Sequence, residues 1–147
     1  MGYKFVIPRL AQGSVPTASM HREFHAVVLC AEELQDLPAL GVDLGDVEVV
    51  KAPLDDAEPT LHEIHVAYDA AREVTRRWRL GQCVLVTCHQ GRNRSGLVTG
   101  LTLMMLGATD KQAIEAVRAA RKNALTNTHF VAVLADAQAR RAQKRAA

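Results

Sequence analysis

The chain has 147 residues, 48% of them hydrophobic and 23% charged, which fits one folded domain with its own core. Its formal net charge of +2 is too small to require a stable nucleic-acid partner, although it suits an anionic substrate. The three cysteines lack metal-ligand spacing, and their odd number argues against a disulfide framework, so we expect a cytoplasmic, reducing setting. We expect neither a membrane span nor a secretory signal, because the apolar stretches are short and interrupted.

The first part of the chain alternates strand-like and helical segments. Continuous β-branched and apolar runs predict strands, whereas proline and glycine mark the turns between them. The predicted elements are strands at residues 3–7 and 10–12, a short helix at 17–24, a strand at 25–30, a helix at 32–40, a strand at 47–51 and a polar loop at 52–59.

The second part is predicted to be mainly helical around one further strand. Apolar residues at three- and four-residue spacing, starting at Leu61, predict a long helix that ends at Gly81. The remaining elements are a strand at 83–88, an apolar helix up to residue 106, a helix at 111–122 capped by Asp110, a last helix capped within 126–128, and a solvated, frayed basic tail at about 140–147.

The order of these elements predicts the fold class. Strands that are separated by helices rather than by tight turns favour parallel pairing. We therefore expect a single α/β domain over residues 1–147, with a mainly parallel central sheet of about four to five strands flanked by helices.

Residues 83–96 carry the strongest functional pattern, namely a strand, a glycine-containing polar loop and a helix start. Main-chain N–H groups of such a loop and of a helix N-terminus can together hold a phosphate. Cys88 stands where the same dipoles favour the nucleophilic thiolate. Arg94 offers a planar fork of donors that can bind two oxygens of one phosphate.

Cys88, five intervening residues and then Arg94-Ser95 resemble the signature of the cysteine-dependent protein tyrosine phosphatases, and the short chain is similar to their dual-specificity branch. The resemblance is strongest over residues 53–106, and residues 118–130 also resemble the C-terminal pattern of the family. It implies that Cys88 is the nucleophile, that Ser95 helps the sulfur to depart, and that the phosphate is bound by the loop residues His89, Gln90, Gly91, Arg92, Asn93 and Arg94.

The leaving oxygen of a phosphate ester needs a proton, and a carboxylic acid on a separate loop is the natural donor. The sequence offers Asp55 and Asp56, and the family carries an aspartate on a loop about thirty residues before its cysteine. We favour Asp56, since the order Pro53, Leu54, Asp55, Asp56 resembles the family pattern. The other aspartate is expected to cap the following turn or helix.

Two loop positions depart from the usual pattern. Thr87 stands where the family has a histidine that helps to order the loop. Arg92 adds a second cation, as in members that act on phosphoinositides or phosphatidylglycerophosphate, and residues 93–96 resemble those of RNA 5′-triphosphatases. The sequence is therefore also compatible with a substrate that carries more negative charge than phosphotyrosine.

The sequence thus predicts a dual-specificity protein phosphatase that acts through a phosphocysteine intermediate. It needs no cofactor and no metal, and its expected partner is a phosphorylated protein or another anionic phosphate ester; a monomer is the simplest state. The alternatives are a phosphoinositide or RNA 5′-triphosphate phosphatase, a non-catalytic phosphate-binding pseudophosphatase, and a rhodanese-like sulfurtransferase. The upstream acid and the placement of Arg94 and Ser95 disfavour the last two.

Overall fold

A computed structural model of the chain describes residues 2–17 and 23–146. Its strands are β1 (Tyr3–Ile7), β2 (Leu10–Gly13), β3 (Ala26–Ala31), β4 (Glu48–Leu54) and β5 (Val84–Thr87). Its α-helices are α1 (Leu61–Arg79), α2 (Arg94–Met105), α3 (Asp110–Ala120) and α4 (Thr128–Ala146). The helix predicted at residues 17–24 falls largely outside the described residues.

The five strands form one sheet in the order β1-β2-β5-β3-β4. β2, β5, β3 and β4 run parallel, whereas β1 pairs antiparallel with β2 at one edge. This confirms the predicted α/β class, the mainly parallel sheet and the strand number. It also places β5, the strand that leads into the Cys88 loop, at the centre of the sheet.

The two faces of the sheet are covered differently. Alternate strand residues such as Val28 and Val86 pack into a core cluster that includes residues of all four α-helices. The intervening residues, such as Val27 and Leu85, pack against Phe24 and the irregular segment that follows β3. Among the described residues, the α-helices therefore lie together on one face of the sheet.

Two segments between the strands differ from the prediction. Residues 32–40 form two short 3₁₀ helices, Glu32–Leu34 and Pro38–Leu40, because Pro38 begins a new turn instead of ending a long helix. β4 continues to Leu54, so the polar loop begins only at Asp55. Pro53 is tolerated within β4 because this strand lies at the edge of the sheet.

Helix α1 begins at the capping box of Thr60 and Glu63, within the predicted range, but Leu61 is 71% exposed and does not join the buried stripe. Helix α3 is capped by Thr109 rather than by Asp110, since the Thr109 hydroxyl accepts the hydrogen bond of the Gln112 N–H. None of the helices in the described part of the chain is both long and apolar enough to cross a membrane.

The basic C-terminal segment is ordered as part of α4, which continues to Ala146. Arg141 donates hydrogen bonds to the carbonyl oxygens of Met104, at 2.7 Å, and of Ala108, at 2.6 Å. The prediction of a frayed, solvated tail is therefore wrong for Arg141, whose guanidinium binds the main-chain acceptors at the end of α2.

Candidate active site

The loop between β5 and α2 lies at the carboxyl end of the central strand, where open α/β sheets bind their ligands. Gly91 has φ of +70°, and a Cβ at this position would lie 2.5 Å from the carbonyl carbon of Gly13. Only glycine fits this left-handed backbone and this close approach. The predicted glycine loop therefore packs directly against the N-terminal hairpin, which the sequence alone did not indicate.

Cys88 directly follows the central strand β5 and is buried, with 4% of its surface exposed. Its Sγ lies 3.2 Å from Oγ of Ser95, which is itself fully buried in the first turn of α2. Its main-chain N–H donates to the carbonyl oxygen of Gly13. The structure thus brings the side chains of Cys88 and Ser95 into contact.

Arg94 is also buried, with 8% of its surface exposed. Its Nη1 donates to both carboxylate oxygens of Glu33, at 2.5 and 2.8 Å, and to the carbonyl oxygen of Leu54 at 3.2 Å. Glu33 comes from the short helix after β3, and Leu54 ends β4. These bonds hold the guanidinium of Arg94 against the carboxyl ends of β3 and β4.

Asp56 lies beside the loop and is held by two asparagines. Its Oδ2 accepts from Nδ2 of Asn93 at 3.0 Å, and its Oδ1 accepts from Nδ2 of Asn127 at 2.8 Å. Asp55 instead contributes its main-chain N–H, which donates to Oε2 of Glu63 at 2.8 Å. Of the two aspartates, the structure therefore joins the Asp56 carboxylate to the Cys88 loop.

The other loop residues have different environments. His89, Gln90 and Arg92 are exposed, and Nη1 of Arg92 lies 3.4 Å from Oε1 of Gln90. Thr87 is buried, and its hydroxyl donates to the carbonyl oxygen of Val28 at 2.8 Å. Thr87, which stands where the family usually has a histidine, therefore links the end of β5 to β3 through its side chain.

Several residues at the site had no predicted role. Glu33 and Gln12 lie far from the loop in sequence and carry no local motif, so only the sheet topology could reveal them. Arg121 and Asn127 had a weak signal, because both belong to the segment that resembles the C-terminal pattern of the family.

Burial changes the titration of one neighbour of the site. Cys30 in β3 is fully buried, and this burial, reinforced by Cys88 and opposed by Arg94, raises the pKa of its thiol well above the ordinary value of 9.0. Cys30 is therefore held as a neutral thiol. Within the described residues, no group of three or more His, Cys, Asp or Glu side chains is arranged to hold a metal ion.

No protein-family model and no curated protein matches the chain. Solved structures do match it: a mutant form of Tk-PTP has 29% identity and a TM-score of 0.80, with 95% of each chain covered. Human DUSP28 has 20% identity and a TM-score of 0.82, again with 95% of each chain covered. PTPMT1 has 21% identity and a TM-score of 0.78, with 98% of each chain covered. The chain therefore has a dual-specificity phosphatase-like fold, and the likeness to Tk-PTP supports a phosphatase on this fold.

Proposed function

We propose that the protein is a phosphomonoester hydrolase of the dual-specificity type, and that residues 1–147 form its catalytic domain. The main observation behind this proposal is that four side chains lie close together at the carboxyl ends of the parallel strands. The Cys88 sulfur and the Ser95 hydroxyl are in contact, Arg94 is fixed beside Leu54, and Asp56 is bound to Asn93 of the loop. A nucleophile, an anion-binding fork and a carboxyl group are the parts that this reaction needs.

In the first step, the Cys88 thiolate attacks phosphorus while the bond from phosphorus to the leaving oxygen breaks. The loop N–H groups and Arg94 stabilise the charge on the equatorial oxygens. The Asp56 carboxylic acid gives its proton to the leaving oxygen, so that a neutral alcohol or phenol departs. The product of this step is a phosphocysteine at Cys88.

In the second step, the Asp56 carboxylate takes a proton from water as the water oxygen attacks phosphorus. The sulfur–phosphorus bond breaks, and its electron pair returns to Cys88. The Ser95 hydroxyl, 3.2 Å from the sulfur, donates a hydrogen bond to the departing thiolate. Inorganic phosphate leaves, and the enzyme regains its starting state without a metal or a cofactor.

The surroundings of Cys88 support a broad choice of phosphorylated side chains. His89 and Gln90 on the loop are exposed rather than set in a deep wall. We therefore propose that phosphoserine and phosphothreonine react as well as phosphotyrosine. We also propose that the enzyme acts as a cytoplasmic monomer.

Hydrolysis of p-nitrophenyl phosphate tests the chemistry. Wild type should turn over, Cys88→Ser should be inactive, and Asp56→Asn should lose roughly a hundredfold in kcat, the usual scale of general acid catalysis. Asp55→Asn is the matched control and should stay within about threefold of wild type, because its contact uses the main-chain N–H. Equal weak activity in wild type and Cys88→Ser would show a pseudophosphatase instead.

The exposed Arg92 favours one further candidate, a phosphatase for a more anionic ester. One structural neighbour, PTPMT1, was solved in complex with PI(5)P, although at 20% identity it is similar in fold alone. A panel of phosphopeptides, phosphoinositides and 5′-triphosphorylated RNA separates these substrates. Preference for phosphopeptides would support the main proposal, whereas strict phosphotyrosine selectivity or preference for either other class would contradict it.

A further inference from the structure

The carbonyl groups of the Cys88 loop are bound from outside by other parts of the chain. The Gln90 carbonyl accepts from Nη2 of Arg121 at 2.7 Å. The Gly91 carbonyl accepts from Nε2 of Gln12 at 3.0 Å and from Nε of Arg121 at 3.2 Å. The next carbonyl, that of Arg92, accepts from the main-chain N–H of Leu125 at 3.2 Å. Successive peptide units of the loop are thus fixed by external donors.

These contacts determine which way the loop N–H groups point. In a planar trans peptide the C=O and the following N–H point in opposite directions. A carbonyl held outward by Arg121, Gln12 or Leu125 therefore turns the N–H of the next residue toward the inside of the loop. The N–H groups set in this way belong to Gly91, Arg92 and Asn93, all within the proposed phosphate site.

Arg121 has the central place in this arrangement. It follows the last turn of α3, and its guanidinium also lies 3.4 Å from the carbonyl oxygen of Gly2 through Nη1. One rigid side chain thereby joins two loop carbonyls to the N-terminal segment. A planar guanidinium can reach carbonyls in different directions at once, whereas the single ammonium of lysine cannot reproduce this fork.

We propose that Arg121 is a positioning residue that holds the Cys88 loop in its anion-binding conformation, an inference that rests on the proposed function of this loop. Arg121 acts through the peptide groups that it orients and does not itself take part in the chemistry. Without it, the peptide between Gln90 and Gly91 loses its outward partner and can rotate. The anion then loses inward N–H donors, so phosphate affinity and kcat/KM fall together.

Inorganic phosphate is the probe, and its affinity is measured by calorimetric titration of the full chain and of three variants. Arg121→Gln should weaken phosphate binding by about tenfold or more, the effect of one or two lost charge-assisted contacts. Arg121→Lys should fall between this variant and wild type. Arg141→Gln is the matched control, because Arg141 also binds two main-chain carbonyls but at the far end of α2.

A second readout distinguishes positioning from general destabilisation. In ¹⁵N NMR spectra, phosphate should shift the amide signals of Gly91, Arg92 and Asn93 in wild type and Arg141→Gln, but much less in Arg121→Gln. Melting temperatures of both glutamine variants are compared, since each loses contacts of the same kind. If Arg121→Gln does not fold, Arg121→Lys is used in its place. The proposal then requires that Arg121→Lys binds phosphate at least threefold more weakly than wild type.

The outcomes separate the two proposals. If wild type binds no phosphate, the proposed function fails and this inference fails with it. If wild type binds phosphate and Arg121→Gln binds it within twofold of wild type, the proposed function stands and the role of Arg121 is wrong. If Arg141→Gln weakens phosphate binding as much as Arg121→Gln does, the effect is general destabilisation and the inference is also overturned.

Discussion

The side chain of Arg94 shows how a single charged residue is held in one orientation by its neighbours. Within the described part of the chain, its three hydrogen bonds all use Nη1, which contacts Glu33 and the carbonyl of Leu54. Nε and Nη2 form the other edge of the guanidinium, the kind of edge that can bind a phosphate through two parallel hydrogen bonds. Glu33 is 51% exposed at its side chain, so water screens part of the attraction, and its main effect is to orient Arg94.

Replacing Glu33 tests this orientation. We expect Glu33→Gln to lower kcat/KM for p-nitrophenyl phosphate by roughly three- to tenfold, because the neutral amide holds the guanidinium less firmly. Steady-state kinetics measure the effect. Asp69→Asn removes a comparable but remote ion pair with Arg72 and should leave kcat/KM unchanged. Unaltered kinetics in Glu33→Gln would mean that Leu54 alone positions Arg94.

At the scale of elements, the site is assembled where the loop after β4, the loop after β5 and the start of α4 meet. Asn127 joins them: its Oδ1 accepts from the N–H groups of His129 and Phe130, which caps α4. Its Nδ2 donates to Asp56 and to the carbonyl oxygen of Ala57. One amide thus stabilises a helix and positions the proposed acid.

Two substitutions at Asn127 separate these roles. Asn127→Asp keeps a capping oxygen for α4 but places a second carboxylate against Asp56, so we expect kcat to fall although the cap is kept. Asn127→Ala should lose about 1 kcal/mol of stability, or roughly 3 °C, together with activity. The control Thr109→Ala removes the cap of α3 and should lower only the melting temperature. Normal kcat in Asn127→Asp would argue against Asp56 as the acid.

At the scale of the whole molecule, the site rests on a fully buried sheet centre. β3 and β5 pair in register, with Leu29 beside Thr87 at the end of the ladder, and the next residues are Cys30 and Cys88. Both cysteines belong to the core cluster that all four α-helices cover. The low polarity of this core explains why burial raises the pKa of Cys30.

This buried thiol should affect stability at alkaline pH. Because the folded pKa of Cys30 lies above its unfolded value, the unfolded chain loses the thiol proton first as the pH rises. The stability that the neutral Cys30 thiol contributes to the folded state is therefore complete only below about pH 9.0. Above that pH the loss should approach about 1.4 kcal/mol per pH unit. Urea denaturation between pH 7 and 10 should show a shallower decline for Cys30→Ala than for wild type. Parallel declines in the two proteins would contradict the prediction.

The extent of the sequence prediction follows from which signals are local. The strands and the helix after the Cys88 loop were predictable because periodicity, caps and the loop pattern act over a few residues. The pair of candidate aspartates was chosen from the need for a proton donor and from the resemblance to the family. The single helix at 32–40 was wrong because Pro38 starts a second turn, and the tail prediction missed the acceptors that Arg141 finds in α2. Contacts between residues that are far apart in the sequence produce no such local pattern.

By itself, the sequence determined the strand, loop and helix around Cys88, since glycine, arginine and serine at fixed spacing constrain the backbone locally. It also narrowed the candidate acids to Asp55 and Asp56. Only the tertiary structure decided that Glu33 holds Arg94, that Asn127 holds Asp56 and that Arg121 holds the loop carbonyls. These partners are 30 to 71 residues apart, so the packing of the helices and the strand order of the sheet, which no local pattern specifies, had to bring them together.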